Sequence, residues 1–298
     1  MTTADWPPAA PLPPRPEDGH KGTFGTVLVI GGCDDAESCM VGGPAFAAMG
    51  ALRAGAGRAV LAVPRTILTA CLEVTPSATG LPLPAEASAA VDCVREMMPQ
   101  VQSVVIGPGL GTSETARALV EAIVTTSVGP AVVLDADGLN LFAGQGKSMS
   151  AVEVPMVVTP HPGEYDRLAS SLDLPKAPRT PEARTEAAAA LSEALHVVAV
   201  LKGPGTVVAE AGKNWTCQRG SVALATGGSG DVLAGIIGGL LAQGVMADSS
   251  SAWDLAAWGT WIHAVSGEQW ASQHGSSGLL AAELAAEVPG VMASLPRA

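Results

Sequence analysis

Aromatic side chains make up only 3% of this 298-residue chain and charged ones only 15%, whereas 48% are hydrophobic. A chain so poor in charge and rich in apolar residues can build a large core and is not a disordered polymer. Bases are the scarcer charge, 16 Lys and Arg against 28 Asp and Glu, for a net charge of −12. That balance excludes a nucleic-acid backbone as partner, because phosphate runs need basic patches. A single nucleotide remains possible, since backbone amides and one or two lysines suffice to hold it. The five cysteines (33, 39, 71, 93 and 217) form no Cys-x-x-Cys pair and leave an odd one out. Reduced thiols in a reducing compartment are expected. No uninterrupted apolar run approaches the length of a membrane span, and the N-terminus lacks the charged-then-apolar order of a signal peptide. These absences point to a cytoplasmic protein.

What is present is alanine and glycine, arranged as alternating apolar runs and helix-like stretches. Residues 1–19 carry Pro7, Pro8, Pro11, Pro13, Pro14 and Pro16 and are expected to lie extended on the surface. From residue 20 to 298 neither a repeat nor a linker interrupts the pattern, which predicts one domain. Thr26–Gly32 reads as a buried strand, Gly42–Ala54 as a helix and Gly55–Val63 as the next strand. This β-α-β order implies parallel pairing with a right-handed crossover. Further strands are expected at 101–106, 131–135, 156–159 and 197–201, with helices near 86–98, 113–126 and 181–195. Trp253, Trp258 and Trp261 fall at near-helical spacing in a mostly helical C-terminal third, as core or interface packing.

The stretch Leu224–Leu241 organises the chain. Gly227, Gly228 and Gly230 flank Ser229, Asp231 follows, and an apolar helix-like run begins at Val232. A glycine turn opening a helix leaves amides free to hold an anion. A carboxylate beside such a turn repels phosphate unless it serves as a base; the alternative is that Asp231 is a helix cap. Other polar groups close separate apolar runs: Asp135/Asp137, His161/Glu164 and Lys202. In an open parallel sheet the carboxyl ends of the strands line one crevice, so these groups can converge.

These residues carry a resemblance. The chain is similar, from His20 to Pro296, to the ADP- or ATP-dependent NAD(P)H-hydrate dehydratases, through HKGTFGTVLVIGG (20–32), GPGLG (107–111), VVLDADGLN (132–140), VTPHPGEYDRL (158–168), VLKGPGT (200–206) and ATGGSGDVLAGI (225–236). The resemblance implies a ribokinase-like three-layer α/β/α fold with a mainly parallel sheet. It implies phosphorylation of the 6-hydroxyl of NADH or NADPH hydrate by ADP or ATP with Mg2+, then loss of phosphate. By position, Asp231 is the expected base, and Gly43, Gly109, His161 and Asp231 are expected to contact the hydrate. Lys202, Gly203, Pro204, Gly205 and Thr206 are expected on the nucleotide, with the amides of Gly228, Ser229 and Gly230 on the transferring phosphoryl group. Glu164 falls at an acidic position that holds magnesium through water. A separate NAD(P)H-hydrate epimerase and assembly as a homo-oligomer are also expected; nucleic-acid and membrane partners are not.

Two departures accompany the match. The segment after the first strand, Gly31–Gly43, is about four residues longer than the family pattern, and Gly43 stands where alanine is usual. Its acidic residues Asp34, Asp35 and Glu37 suggest a flap beside the substrate. Ser221 replaces a common asparagine ahead of the glycine turn. A vitamin-precursor kinase of the same fold and a non-catalytic nucleotide-binding protein remain alternatives at this stage.

Overall fold

The computed structural model describes residues 6–35, 38–143, 154–176, 180–248 and 250–298. In chain order the strands and helices are β1 (Thr26–Ile30), β2 (Cys33–Asp34), β3 (Cys39–Met40), α1 (Gly42–Arg53), β4 (Arg58–Pro64), α2 (Leu68–Val74), β5 (Thr79–Leu83), α3 (Ala87–Met97), β6 (Ser103–Ile106), α4 (Glu114–Val124) and β7 (Ala131–Leu134). They continue as α5 (Ala136–Ala143), β8 (Met156–Val158), α6 (Pro162–Ser171), α7 (Pro181–Leu195), β9 (Val198–Leu201), β10 (Val207–Glu210), β11 (Lys213–Thr216), α8 (Ser229–Ala247), α9 (Ala252–His274) and α10 (Ala281–Met292).

Nine strands form one sheet in the order β11-β10-β9-β8-β7-β6-β1-β4-β5. Every pair from β9 to β5 is parallel, while β10 and β11 add an antiparallel edge. The central strands are buried at every position and, apart from Thr26 and Ser103 at the starts of β1 and β6, apolar, because both sheet faces are covered. In β1, Val27 and Val29 face one layer, which holds α1, α8, α9 and α10. Leu28 and Ile30 face the other, which holds α3 to α7. This is the three-layer arrangement expected, with the hairpin β2–β3, α2, β5, α5 and α6 added.

The helix α8 is the middle of its layer. It is long and apolar enough to cross a membrane, but it is mostly buried inside the protein. Its glycines let it press on its neighbours. A Cβ on Gly235 would stand 2.0 Å from the Ala47 carbonyl of α1, and one on Gly239 would stand 2.6 Å from that of Ala51. Ser103 at the start of β6 donates a 2.7 Å hydrogen bond to the Gly238 carbonyl, so the helix is also held to the sheet. Gly235→Ala should therefore destabilise the fold by about 3 kcal/mol, since backbone rather than a flexible side chain must move. Urea unfolding reads this directly, and an unchanged midpoint would mean that the two helices separate freely.

The proline-rich segment is not a loose surface arm. Leu12 is fully buried, and its N–H donates to the Pro296 carbonyl at 3.0 Å while its own carbonyl accepts from Ala298 N–H at 2.9 Å. Trp6 packs edge-on against Trp258, whose indole N–H donates to the Ala10 carbonyl at 2.7 Å. Prolines hold the chain extended, and buried apolar side chains between them fix it to α9. The three tryptophans Trp253, Trp258 and Trp261 are core residues within the chain.

Candidate active site

The strands β7, β8 and β9 are neighbours, and each ends in a polar group at its carboxyl end. Asp135 follows β7, Thr159 and His161 follow β8, and Lys202 follows β9. Lys202 Nζ lies 2.7 Å from Asp135 Oδ1 and 3.8 Å from Glu164 Oε2. Thr159 donates to the same Asp135 oxygen at 2.7 Å. Asp135 is only 1% exposed and Glu164 only 5%, so these charges meet away from bulk water. Lys202 thus reaches across β8 to pair with two carboxylates, a structural task in addition to the nucleotide contact expected of it. Burial lowers its pKa, but Asp135, Glu164 and Asp231 together more than reverse that, and it stays charged.

TPHPGE has a local structural role. His161 is the N-cap of α6, and its Nδ1 accepts from the N–H groups of Gly163 (3.0 Å) and Glu164 (3.3 Å). Glu164 Oε2 returns the bond, accepting from His161 N–H at 2.8 Å, with Pro162 in the first helical turn. This reciprocal cap aims the Glu164 carboxylate back at the strand ends. It also leaves the His161 ring half exposed, with Nε2 at 3.3 Å from Glu164 Oε1. Burial raises the pKa of Glu164, Lys202 opposes this, and Asp135 adds to the rise.

The fourth group arrives on α8. Gly228 is its N-cap at φ +87°, a left-handed conformation that glycine accepts freely, and no side chain caps this end. Asp231 sits in the first turn without acting as the cap, so the plain capping reading is set aside. Ser229 N–H turns toward the Thr226 carbonyl at 3.5 Å, and Val232 N–H bonds to the Gly228 carbonyl. Of the three amides the sequence points to, that of Ser229 is thus turned aside, while those of Gly228 and Gly230, together with that of Asp231, have no backbone partner. Burial pushes the Asp231 carboxyl up to about 7, with Asp135, Glu164 and Asp137 adding to the effect and Lys202 opposing it. A helix N-terminus taken alone favours the ionised carboxylate. Burial, together with Asp135 after β7, Glu164 on α6 and Asp137 on α5, outweighs that dipole.

A cavity of about 810 Å³ opens beside these groups. Lys202, Gly203, Pro204, Gly205 and Thr206 line one wall, and Ser229 and Gly230 the floor. His161 stands at its edge, and Arg219, Gly220 and Ser221 lie on the opposite rim. The loop after β9 is held by a residue the sequence reading missed: Arg184 on α7 donates to the Leu201 and Lys202 carbonyls, both at 3.1 Å. On the rim, Arg219 pairs with Glu268, which also accepts from Gly220 N–H at 2.7 Å. Ser221 caps the short turn that follows by accepting from Ala223 N–H at 3.2 Å.

Gly43 and Gly109 sit together where the start of α1 meets the GPGLG turn. A Cβ on Gly43 would meet the Pro108 carbonyl carbon at 2.9 Å, so α1 rests directly on the GPGLG turn. Asp137 Oδ2 accepts from Gly111 N–H at 2.9 Å and ties that turn to the end of β7. The long segment after β1 folds as the hairpin β2–β3, and its Met40 lies over Gly109, with Cβ 2.9 Å from where a Gly109 side chain would start. Glu37, one of the acids assigned to a flap, lies outside the described residues.

Among the described residues no cluster of three or more His, Cys, Asp or Glu has the spacing to hold a metal directly. Asp135 Oδ1 is taken by Lys202 and Thr159, and Glu164 Oε2 by His161 N–H. Asp231 and the Glu164 carboxylate, whose Oε1 faces the half-exposed His161 ring at 3.3 Å, fit a hydrated Mg2+ held mainly by phosphates, which binds protein through its waters.

Residues 27–290 match the NAD(P)H-hydrate dehydratase family. The chain belongs to that family. It is 42% identical to a bifunctional NAD(P)H-hydrate repair enzyme of Gloeobacter violaceus over 274 residues, 91% of this chain but 50% of that one. The chain therefore spans about half the length of that relative. An ADP-dependent (S)-NAD(P)H-hydrate dehydratase of Bacillus subtilis is 32% identical over 95% of this chain and 94% of its own. The crystal structure of an ADP/ATP-dependent NAD(P)H-hydrate dehydratase from Bacillus subtilis, co-crystallised with ATP/Mg2+, superposes with a TM-score of 0.76 at 29% identity, over 95% and 94% of the two chains. A ribokinase-like superfamily protein from Enterococcus faecalis shares the fold, with a TM-score of 0.78 at 24% identity over 95% and 92%. The ribokinase-like architecture inferred from the motifs is the one this family member adopts.

Proposed function

We propose that this protein dehydrates the (6S) hydrate of NADH or NADPH, using ADP or ATP as phosphoryl donor. The observation that carries the reading is Asp231: a carboxylate in the first turn of a helix with no side-chain cap, next in sequence to Gly230 of the cavity lining, its pKa raised to about 7 by burial and by Asp135, Glu164 and Asp137. A base poised near neutrality is suited to removing a hydroxyl proton.

In the reaction, Asp231 takes the proton of the 6-hydroxyl as that oxygen attacks the terminal phosphorus of the nucleotide. The bond to the leaving phosphate breaks, releasing AMP from ADP or ADP from ATP. The amides of Gly230 and Asp231 and the Lys202 ammonium face the charge on the transferring group. The ring nitrogen lone pair then expels phosphate from carbon 6, a proton leaves carbon 5, and the reduced nicotinamide returns. Mg2+, when bound, neutralises phosphate charge, with Asp231 and Glu164 holding its waters. Gly43, Gly109 and His161 belong to the hydrate side in this reading, and residues 202–206 to the nucleotide side. The hydrate epimer that this site does not take falls to a separate epimerase activity.

The test incubates the purified protein with the hydrate, Mg2+ and either ADP or ATP, and follows the return of reduced-cofactor absorbance together with free phosphate. A phosphorylated product that accumulates would instead identify a kinase. The same assay gives a pH profile: kcat/KM should rise with pH through about 7 as Asp231 loses its proton. A profile flat from pH 5.5 to 9 would mean that no group with this pKa serves as the base.

A further inference from the structure

His263 on α9 faces the start of α8 at the cavity wall. Its Nε2 lies 3.0 Å from Ser229 Oγ and 3.0 Å from the Ser229 carbonyl oxygen. A carbonyl oxygen only accepts, so the hydrogen must be on Nε2; a bare Nε2 would set lone pair against lone pair. From this contact we infer that His263 is a positioning residue: its Nε2–H occupies the acceptor side of Ser229, so that the serine hydroxyl hydrogen is free to donate into the cavity, at the transferring phosphoryl group. The same bond fixes the first turn of α8, which carries the Gly230 and Asp231 amides.

The ring's surroundings keep it in this form. Burial lowers its pKa to about 4, the bond to the Ser229 carbonyl opposes this, and the Lys202 ammonium lowers it further. A neutral ring across the working pH range donates one hydrogen and adds no charge. Ser229 is 5% exposed and its side chain is committed to His263, so its hydroxyl has a defined direction. The sequence reading had only the Ser229 amide in view; the hydroxyl and its partner 34 residues away are a separate device.

The inference rests on the nucleotide occupying the 810 Å³ cavity, and the experiment separates the two. His263→Leu, His263→Gln, Ser229→Ala and the His263→Leu/Ser229→Ala double variant are compared for turnover and for affinity toward ADP and AMP. His263→Leu and Ser229→Ala should each lower kcat roughly 100- to 1,000-fold, the range for one lost donor, with the hydrate KM within about twofold. The double variant should be no worse than the poorer single one, because both remove the same donor. His263→Gln, whose amide N–H falls near the original Nε2, should recover most of the rate. The pH limb near 7 should stay in place, since His263 does not titrate there. Fully additive losses, or a Gln variant as slow as the Leu variant, would overturn the inference and leave His263 as packing. If the wild-type protein does not turn over the hydrate, the preference for ADP over AMP still decides: His263→Leu should cut it about 5- to 10-fold, and an unchanged ratio rejects the role. Should His263→Leu not fold, His263→Asn, too short to reach Ser229, takes its place with the same expectations.

Discussion

Asp231→Asn is expected to reduce turnover by roughly 100-fold or more, the size of a lost general base, while nucleotide affinity stays level or tightens. The substitution removes basicity and one negative charge from a site that already holds Asp135 and Glu164 against a single lysine. The protein should also become more stable at pH 8. A carboxyl whose pKa is raised in the folded state binds its proton more tightly there than when unfolded. Its cost to stability is therefore absent below about pH 4, grows through the range between the two pKa values and is complete above about 7. The rise to about 7, discounted for partial exposure, makes the gain on the order of 2–3 kcal/mol. Thermal melts of both proteins at pH 4 and pH 8 test it. Near-normal turnover would remove Asp231 as the base. A loss of stability at pH 8 would mean that the carboxylate supports the helix start after all.

Lys202→Met should have the opposite effect on the fold. It leaves Asp135 and Glu164 buried without their cation, and breaking a buried pair in this way costs about 3–5 kcal/mol. It also withdraws the one charge that holds the Asp231 pKa down, so the pH limb near 7 should move to higher pH. Both substrates should be handled poorly, and not the nucleotide alone as the motif KGPGT suggests when read in isolation. Adding Asp135→Asn should restore part of the lost stability without restoring the rate. A Lys202→Met protein as stable as the wild type, with only its nucleotide KM raised, would reduce Lys202 to a simple nucleotide contact.

These two residues show what could be read from the chain and what could not. The parallel sheet was legible because buried strands such as Thr26–Ile30 are apolar runs, Val27 to Ile30 without a break, separated by helix-period stretches. The glycine turn at 227–230 and the helix after it were legible for the same local reason. β5 was missed because its run, Thr79–Leu83, contains Gly80 and Pro82, residues that argue against a strand, and its place at the sheet edge tolerates them. α6 was missed because TPHPGE reads as a loop motif, although it is also a reciprocal cap. The ionisation of Asp231 is not legible locally, because the sequence shows its helix end and not its burial or the carboxylates that β7, α5 and α6 bring to it. His263 and Arg184 gave no signal at all. Each is one polar residue in an ordinary helix, and its partner is set by packing alone.

The segment around Leu12 also bears on how the chain is made. Leu12 exchanges hydrogen bonds with Pro296 and Ala298, and Arg297 donates to the Pro13 carbonyl at 3.0 Å. During synthesis the earliest of these residues must wait for the latest. Until residues 252–298 have left the ribosome tunnel, Trp6 and Leu12 have no surface to cover, and the layer of α1 and α8 stands open on one side. The strap at Leu12 therefore closes only after residues 252–298 are made, and α1 and α8 are covered on that side only once it has closed.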